Sequence, residues 1–99
     1  MLSKDSLADF QSVLYSRFQA ESDSGPVELK LTEVEVKQAS PQAEQFSLLL
    51  KGPEAPFLPQ QMYRMNHEQL GELDLFMVPV GKGKDGFLYE IVFNRLVTG

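Results

Sequence analysis

The feature that most restricts what this chain can fold into is a pair of strand patterns near its end, joined by a glycine-rich connector. The first runs from Leu70 to Val80 and the second from Gly86 to Val97. In the second, Phe87, Tyr89, Ile91 and Phe93 share one face while Glu90 and Asn94 take the other, the period-2 pattern of a half-buried antiparallel strand. The connector Gly81-Lys82-Gly83-Lys84-Asp85-Gly86 is rich in glycine and ends in Asp-Gly, so it reverses the chain. Two registers fit. If Val80 sits opposite Phe87, Glu72 falls opposite Arg95 and Phe76 opposite Ile91; a slip of one residue sets Leu75 opposite Phe93 instead.

A chain of 99 residues makes one domain with one core. A domain of that size buries only about 60 to 70% of the surface its unfolded chain exposes, so contact with a partner subunit would add stability. With 42% hydrophobic residues it is too apolar to stay disordered, and its longest apolar run is far short of the roughly 20 residues of a membrane span. We expect a soluble protein. The opening Met1-Leu2-Ser3-Lys4-Asp5 has neither a basic segment nor an apolar one, so no secretory signal is read there and the cytoplasm is expected. The absence of cysteine removes disulfides, thiolate metal sites and cysteine nucleophiles together. Nine basic residues against fourteen acidic ones leave a net charge of −5, with the cations scattered along the chain, so nucleic acid is not an expected partner.

Taken in order, Ser3 or Asp5 is positioned to cap a helix beginning near Lys4, with Leu7, Phe10, Val13 and Leu14 along one face. Residues 15–20 fit either a continuation of the helix through Phe18 or a short strand; the reading adopted is helix to about Leu14 and strand afterwards. Glu21-Ser22-Asp23-Ser24-Gly25-Pro26 is a turn. Val27, Leu29 and Leu31 alternate with polar residues, but the apolar parity then moves to Val34 and Val36, which predicts a β-bulge near Thr32-Glu33. Phe46, Leu48 and Leu50 mark a third strand that stops at Gly52-Pro53, and Tyr63, Met65 and His67 mark a fourth. Pro79 suits a sheet edge or a bulge. The result is a single domain over residues 1–99, with a helix about 4–14 and strands about 16–21, 26–37, 44–51, 61–67, 71–80 and 86–97. The expected fold is mainly β (α+β): a small antiparallel barrel or rolled sheet of five to six strands, with the N-terminal helix packed over an open end and hiding Leu7, Phe10 and Leu14.

Between the third and fourth strands, Gly52-Pro53-Glu54-Ala55-Pro56-Phe57-Leu58-Pro59 is stiffened by its prolines and cannot join a ladder. Its Phe57 and Leu58 either fold back as a lid on the core or stand exposed as a partner contact, and a barrel end needs an apolar lid. Tyr63, Met65, Met77 and Tyr89 either fill the core or line a pocket for a small apolar ligand.

Catalytic inventory is sparse. His67 is the sole histidine and needs Glu68, Glu72 or Asp74 brought to it before it could act as a base, so a histidine satisfied at a strand end is the expected state. Glu72, Asp74 and Glu90 form a possible acidic face, for which solvated surface charge is the ordinary explanation; Glu72 with Arg95 is a candidate cross-strand ion pair. The Gly81–Gly86 connector lacks phosphate-loop spacing and leads into a strand, which leaves no helix N-terminus to receive an anion. No cofactor, metal or enzymatic activity is expected.

Phe46-Ser47-Leu48, Gly52-Pro53, Leu58-Pro59-Gln60, His67 with Gly71, Phe76, Pro79-Val80-Gly81, Tyr89-Glu90 and Val92-Phe93-Asn94-Arg95 together resemble the pattern of an uncharacterised family of small bacterial domains of about this length. The resemblance covers roughly residues 44 to 95. It implies the β-rich fold, carries no established activity, and suggests a part of a larger phage-tail-like or secretion-related structure. The expected function is therefore a non-enzymatic interaction or assembly module, acting on a protein partner or on a second copy of itself. A small apolar-ligand-binding barrel is the alternative, and an enzyme using His67 stands last.

Overall fold

The computed structural model describes residues 6–39 and 43–96. One helix, α1 (Leu7–Ser12), precedes six strands: β1 (Arg17–Ser22), β2 (Gly25–Ala39), β3 (Ala43–Lys51), β4 (Gln61–His67), β5 (Gly71–Lys82) and β6 (Phe87–Leu96). All neighbours are antiparallel, in the order β1-β2-β3-β6-β5-β4, and β4 returns to β1 so that the sheet closes. The closing seam is short: among the described residues, Gln19 with Asn66 and Ala20 with Met65 are the pairs across it.

The helix is shorter than its apolar spacing predicts, and it starts later. Ser6 is its cap, with the Ser6 hydroxyl accepting from Asp9 N–H and the Asp9 carboxylate accepting from Ser6 N–H, each at 3.2 Å. The two caps read from the sequence, Ser3 and Asp5, lie outside the described residues. The helix stops at Ser12: Val13 leaves helical angles at φ −113°, ψ 21°, and Tyr15 then turns the backbone left-handed at φ 73°. Tyr15 N–H then donates to Leu31 C=O at 2.8 Å, and Leu31 N–H to Ser16 C=O at 3.0 Å, so the chain is already alongside β2 before β1 begins. Leu7, Phe10 and Val13 are buried, whereas Leu14, expected to be hidden, is exposed. Residues 17–22 are strand, with Phe18 and Ala20 inward.

Thr32 is the extra residue of a bulge, since Leu31 pairs with Leu50 and Glu33 with Leu49; this is where the parity change placed it, and Glu33 is thereby kept out of the core. A second shift separates Val36 from Gln38. In the β5–β6 hairpin neither uniform register holds. Val78 pairs with Glu90 and Pro79 with Tyr89, then the register shifts so that Gly81 meets Leu88 and Lys82 meets Phe87. Val80 is the inserted residue, next to the proline that cannot donate to a ladder. The first half of β5 pairs with β4 instead, which puts Glu72 opposite Asn66 and Phe76 opposite Met62; the backbone at Arg95 lies opposite Glu44 on β3, so Glu72 and Arg95 are not cross-strand partners.

Both ends of the closed sheet are stopped by apolar side chains. At one end Phe10, fully buried, brings its ring 5.3 Å from that of Phe93, 6.1 Å from Phe46 and 6.4 Å from Phe18. At the other, Leu58 descends from the proline loop into the core, and its N–H donates to Tyr89 Oη at 3.0 Å. Gly86 passes so close to the loop that a Cβ there would stand 1.9 Å from Gly52 C=O, which only glycine allows.

Candidate functional site

His67 ends β4 and is buried. Its Nδ1 accepts two backbone hydrogen bonds from the following turn, Gln69 N–H at 2.9 Å and Leu70 N–H at 3.2 Å. Two N–H donors on one nitrogen leave it no proton, so the neutral ring carries its hydrogen on Nε2. That hydrogen points to Ser16 Oγ, 2.7 Å away, and the Ser16 hydroxyl in turn donates to Val13 C=O. Phe18 covers the ring at a centroid distance of 4.5 Å. Burial lowers the imidazole pKa below its ordinary value, with Glu68 pulling weakly the other way.

A serine within hydrogen-bond distance of a histidine resembles a nucleophile and its base, but the proton polarity is reversed. In a catalytic pair the hydroxyl donates to the imidazole. Here the imidazole donates to the hydroxyl, whose own proton is spent on Val13 C=O. The arrangement ties the end of β4 to the junction between α1 and β1. Ser16 was not singled out in the sequence, because it lies 51 residues from His67 within the stretch whose conformation the pattern left open.

Of the three carboxylates weighed for His67, Glu72 and Asp74 are engaged elsewhere, and both ring nitrogens are taken by groups other than Glu68. Arg64 on β4, directly opposite Asp74, holds Asp74 at 2.9 Å and Glu72 at 3.6 Å. These three are exposed, and such pairs contribute about 0 to 1 kcal/mol each. Glu90 is on β6, opposite Val78 and Leu49. Among the described residues no group of three or more potential metal ligands is assembled.

Of the two loop residues, Leu58 is only 2% exposed and belongs to the core, which removes it as a surface contact. Phe57 stays 50% exposed, with its ring edge-on to Phe87 at 4.9 Å. Tyr63, Met65, Met77 and Tyr89 are all buried in one hydrophobic cluster and occupy the interior in which an apolar ligand would have to sit. The Tyr63 hydroxyl donates to Pro59 C=O, so both tyrosines are anchored to the lid loop. Burial, with Tyr89 and Asp23 nearby, raises the Tyr63 phenol above its ordinary pKa.

The outer face carries large apolar side chains with no core to enter. Met62 and Phe76 are direct cross-strand partners on β4 and β5, 59% and 47% exposed. Val80 and Val92 are also exposed. Period-2 parity assigns Met62 and Phe76 outward as soon as Tyr63, Leu75 and Met77 are inward, a signal available in the sequence and not used there.

The class these features define is a small closed antiparallel sheet of six strands, stopped by a short helix at one end and a proline loop at the other. The chain belongs to the family described as Domain of unknown function (DUF6916), whose model matches residues 6–93. No curated protein matches it. No solved structure matches it either. No helix among the described residues is long and apolar enough to cross a membrane.

Proposed function

We propose that this protein is a non-enzymatic interaction or assembly module, a subunit that associates with a protein partner or with its own copies. The observation that carries the reading is the outward Met62–Phe76 pair on a sheet whose interior is already filled. Large apolar side chains at directly opposed, solvent-facing positions add no core stability, and contiguous exposed apolar surface is characteristic of contact sites. The buried histidine, with both ring nitrogens committed and its serine partner donating away, supports a structural role for the one group that catalysis would have used. A bacterial cytoplasmic setting belongs to the same proposal and is checked by cell fractionation.

The test is light scattering behind a sizing column over a wide range of concentration, on the wild type and on a Met62→Ser, Phe76→Ser double variant. A discrete oligomer that persists on dilution for the wild type and dissociates for the variant supports the module. The same oligomer in both, with unchanged thermal unfolding, removes the β4–β5 face from the contact. A monomer that also captures no protein overturns the reading.

A further inference from the structure

β2 outruns β3. It pairs with β1 from Gly25 onward, but its pairing with β3 begins only at Lys30, opposite Lys51. Beyond Lys51 the chain leaves the sheet as Gly52-Pro53-Glu54-Ala55-Pro56, and Gly52 N–H turns away to Phe87 C=O at 2.9 Å. Among the described residues no backbone hydrogen bond joins this loop to the first five residues of β2, and Pro53 and Pro56 have no N–H to offer. A cleft of about 400 Å³ occupies the gap, lined by Arg17, Glu28, Lys30 and Lys51 and walled by Pro53 and Pro56.

The cations in this cleft are in register. Arg17 is the direct cross-strand partner of Lys30, and Lys30 of Lys51, so three positive residues from β1, β2 and β3 form one row. With strands about 4.8 Å apart the row spans roughly 10 Å. Like charges directly opposed destabilise a sheet. Internal partners offset this only at the ends of the row: Arg17 reaches Glu28 at 3.4 Å and Lys51 reaches Asp85 at 3.1 Å, both at the surface. Lys30, in the middle, has no ion pair and no side-chain hydrogen bond among the described residues. The net charge of the whole chain is −5, yet this cleft holds three cations against one carboxylate.

Leu31 bonds to the β1 side, so by alternation Pro26 and Glu28 face the open stretch; Pro26 has no N–H, and the edge there offers the Glu28 N–H and the Pro26 and Glu28 carbonyls to another strand, while a row of cations accepts carboxylates. We propose that the cleft binds an extended acidic segment of a partner polypeptide, which adds beside the start of β2 and sets its carboxylates against Arg17, Lys30 and Lys51. Charge complementarity selects the occupant. A nucleic-acid backbone needs a longer positive track and would meet Glu28 within the row and the excess negative charge beyond it. The site is separate from the Met62–Phe76 face and does not depend on contact there.

Fluorescence anisotropy with a short fluorescein-labelled peptide alternating glutamate and valine tests this, alongside the same peptide with glutamine in place of glutamate and a short duplex DNA. The expected result is saturable binding of the glutamate peptide, weakened roughly tenfold by the triple substitution Arg17→Gln, Lys30→Gln, Lys51→Gln, and by a similar factor for the glutamine peptide. The Met62→Ser, Phe76→Ser variant binds like the wild type. Amide NMR on the unmodified chain gives a readout that needs no variant: on peptide addition the shifts concentrate at Glu28, Lys30 and Gly52. No saturation, equal affinity for the glutamine peptide, shifts centred elsewhere, or tighter binding of the DNA each overturns the proposal.

Discussion

Ser16 Oγ stands 2.7 Å from Nε2 of His67, and the proton between them belongs to the imidazole, because Nδ1 is occupied by two backbone N–H donors and the Ser16 proton goes to Val13 C=O. The pair joins residues from opposite halves of the chain. It secures the end of β4, whose pairing with β1 beyond it amounts to two residue pairs.

Removing the hydroxyl should show what the tie is worth. Ser16→Ala leaves the buried Nε2–H without its acceptor and is expected to cost about 1 to 3 kcal/mol, read as a lower urea midpoint at unchanged slope. Proton exchange at the amides of β1 and the end of β4 is expected to accelerate before that of β3 and β6.

Acid should loosen the same corner. The folded-state pKa of His67 lies below its unfolded value of about 6.5, so between the two the unfolded chain holds more protons, and stability falls as pH drops through that window. The contribution is complete above about pH 6.5 and is lost toward the folded pKa. Thermal unfolding of the wild type and His67→Gln at neutral and mildly acidic pH checks the sign: the wild type loses more of its melting temperature on acidification. An NMR titration of the His67 ring with a midpoint above 6.5 would contradict it.

Two adjacent residues of the proline loop should respond oppositely. Leu58→Ala opens a hole under the lid and is expected to cost about 2 to 5 kcal/mol. Phe57→Ala gives up half-exposed area and one edge contact with Phe87, for about 0.5 to 1.5 kcal/mol. Chemical denaturation of both variants distinguishes a lid from a solvent-facing loop.

Gly86→Ala would drive its Cβ against Gly52 C=O, a backbone atom with no rotamer to move. A loss of about 1 to 3 kcal/mol is expected, with amide shifts on both the hairpin and the start of the loop. Gly25→Ala, where no atom lies within 4 Å but φ is +99°, has strain alone to bear and should cost less.

Much of this architecture was legible from parity. The alternation in residues 27–36 required an inserted residue, and Thr32 is that residue. The strand ending at His67 and the hairpin around Asp85-Gly86 were written in the same period-2 code and in turn chemistry. The exit from the helix was not, because Val13 leaves helical angles and Tyr15 then takes a left-handed backbone that few non-glycine residues adopt, tied to Leu31 on β2 by a hydrogen bond. Nor was the hairpin register. Each half of β5 answers to a different neighbour, β4 for Gly71–Met77 and β6 for Val78–Lys82, so no single offset between two sequence segments describes it.

The sequence by itself determined the inward and outward parity of the strands, where a strand must bulge, and which chemistries are closed for want of cysteine, because these follow from local geometry and from residue type. The tertiary structure decided which residues meet. It joined Ser16 to His67, gave Glu72 and Asp74 to Arg64, separated Phe57 from Leu58, and gathered Arg17, Lys30 and Lys51, scattered along the chain, into one row. Such meetings depend on strand order and on accumulated register, and a one-residue shift at a bulge is enough to change them.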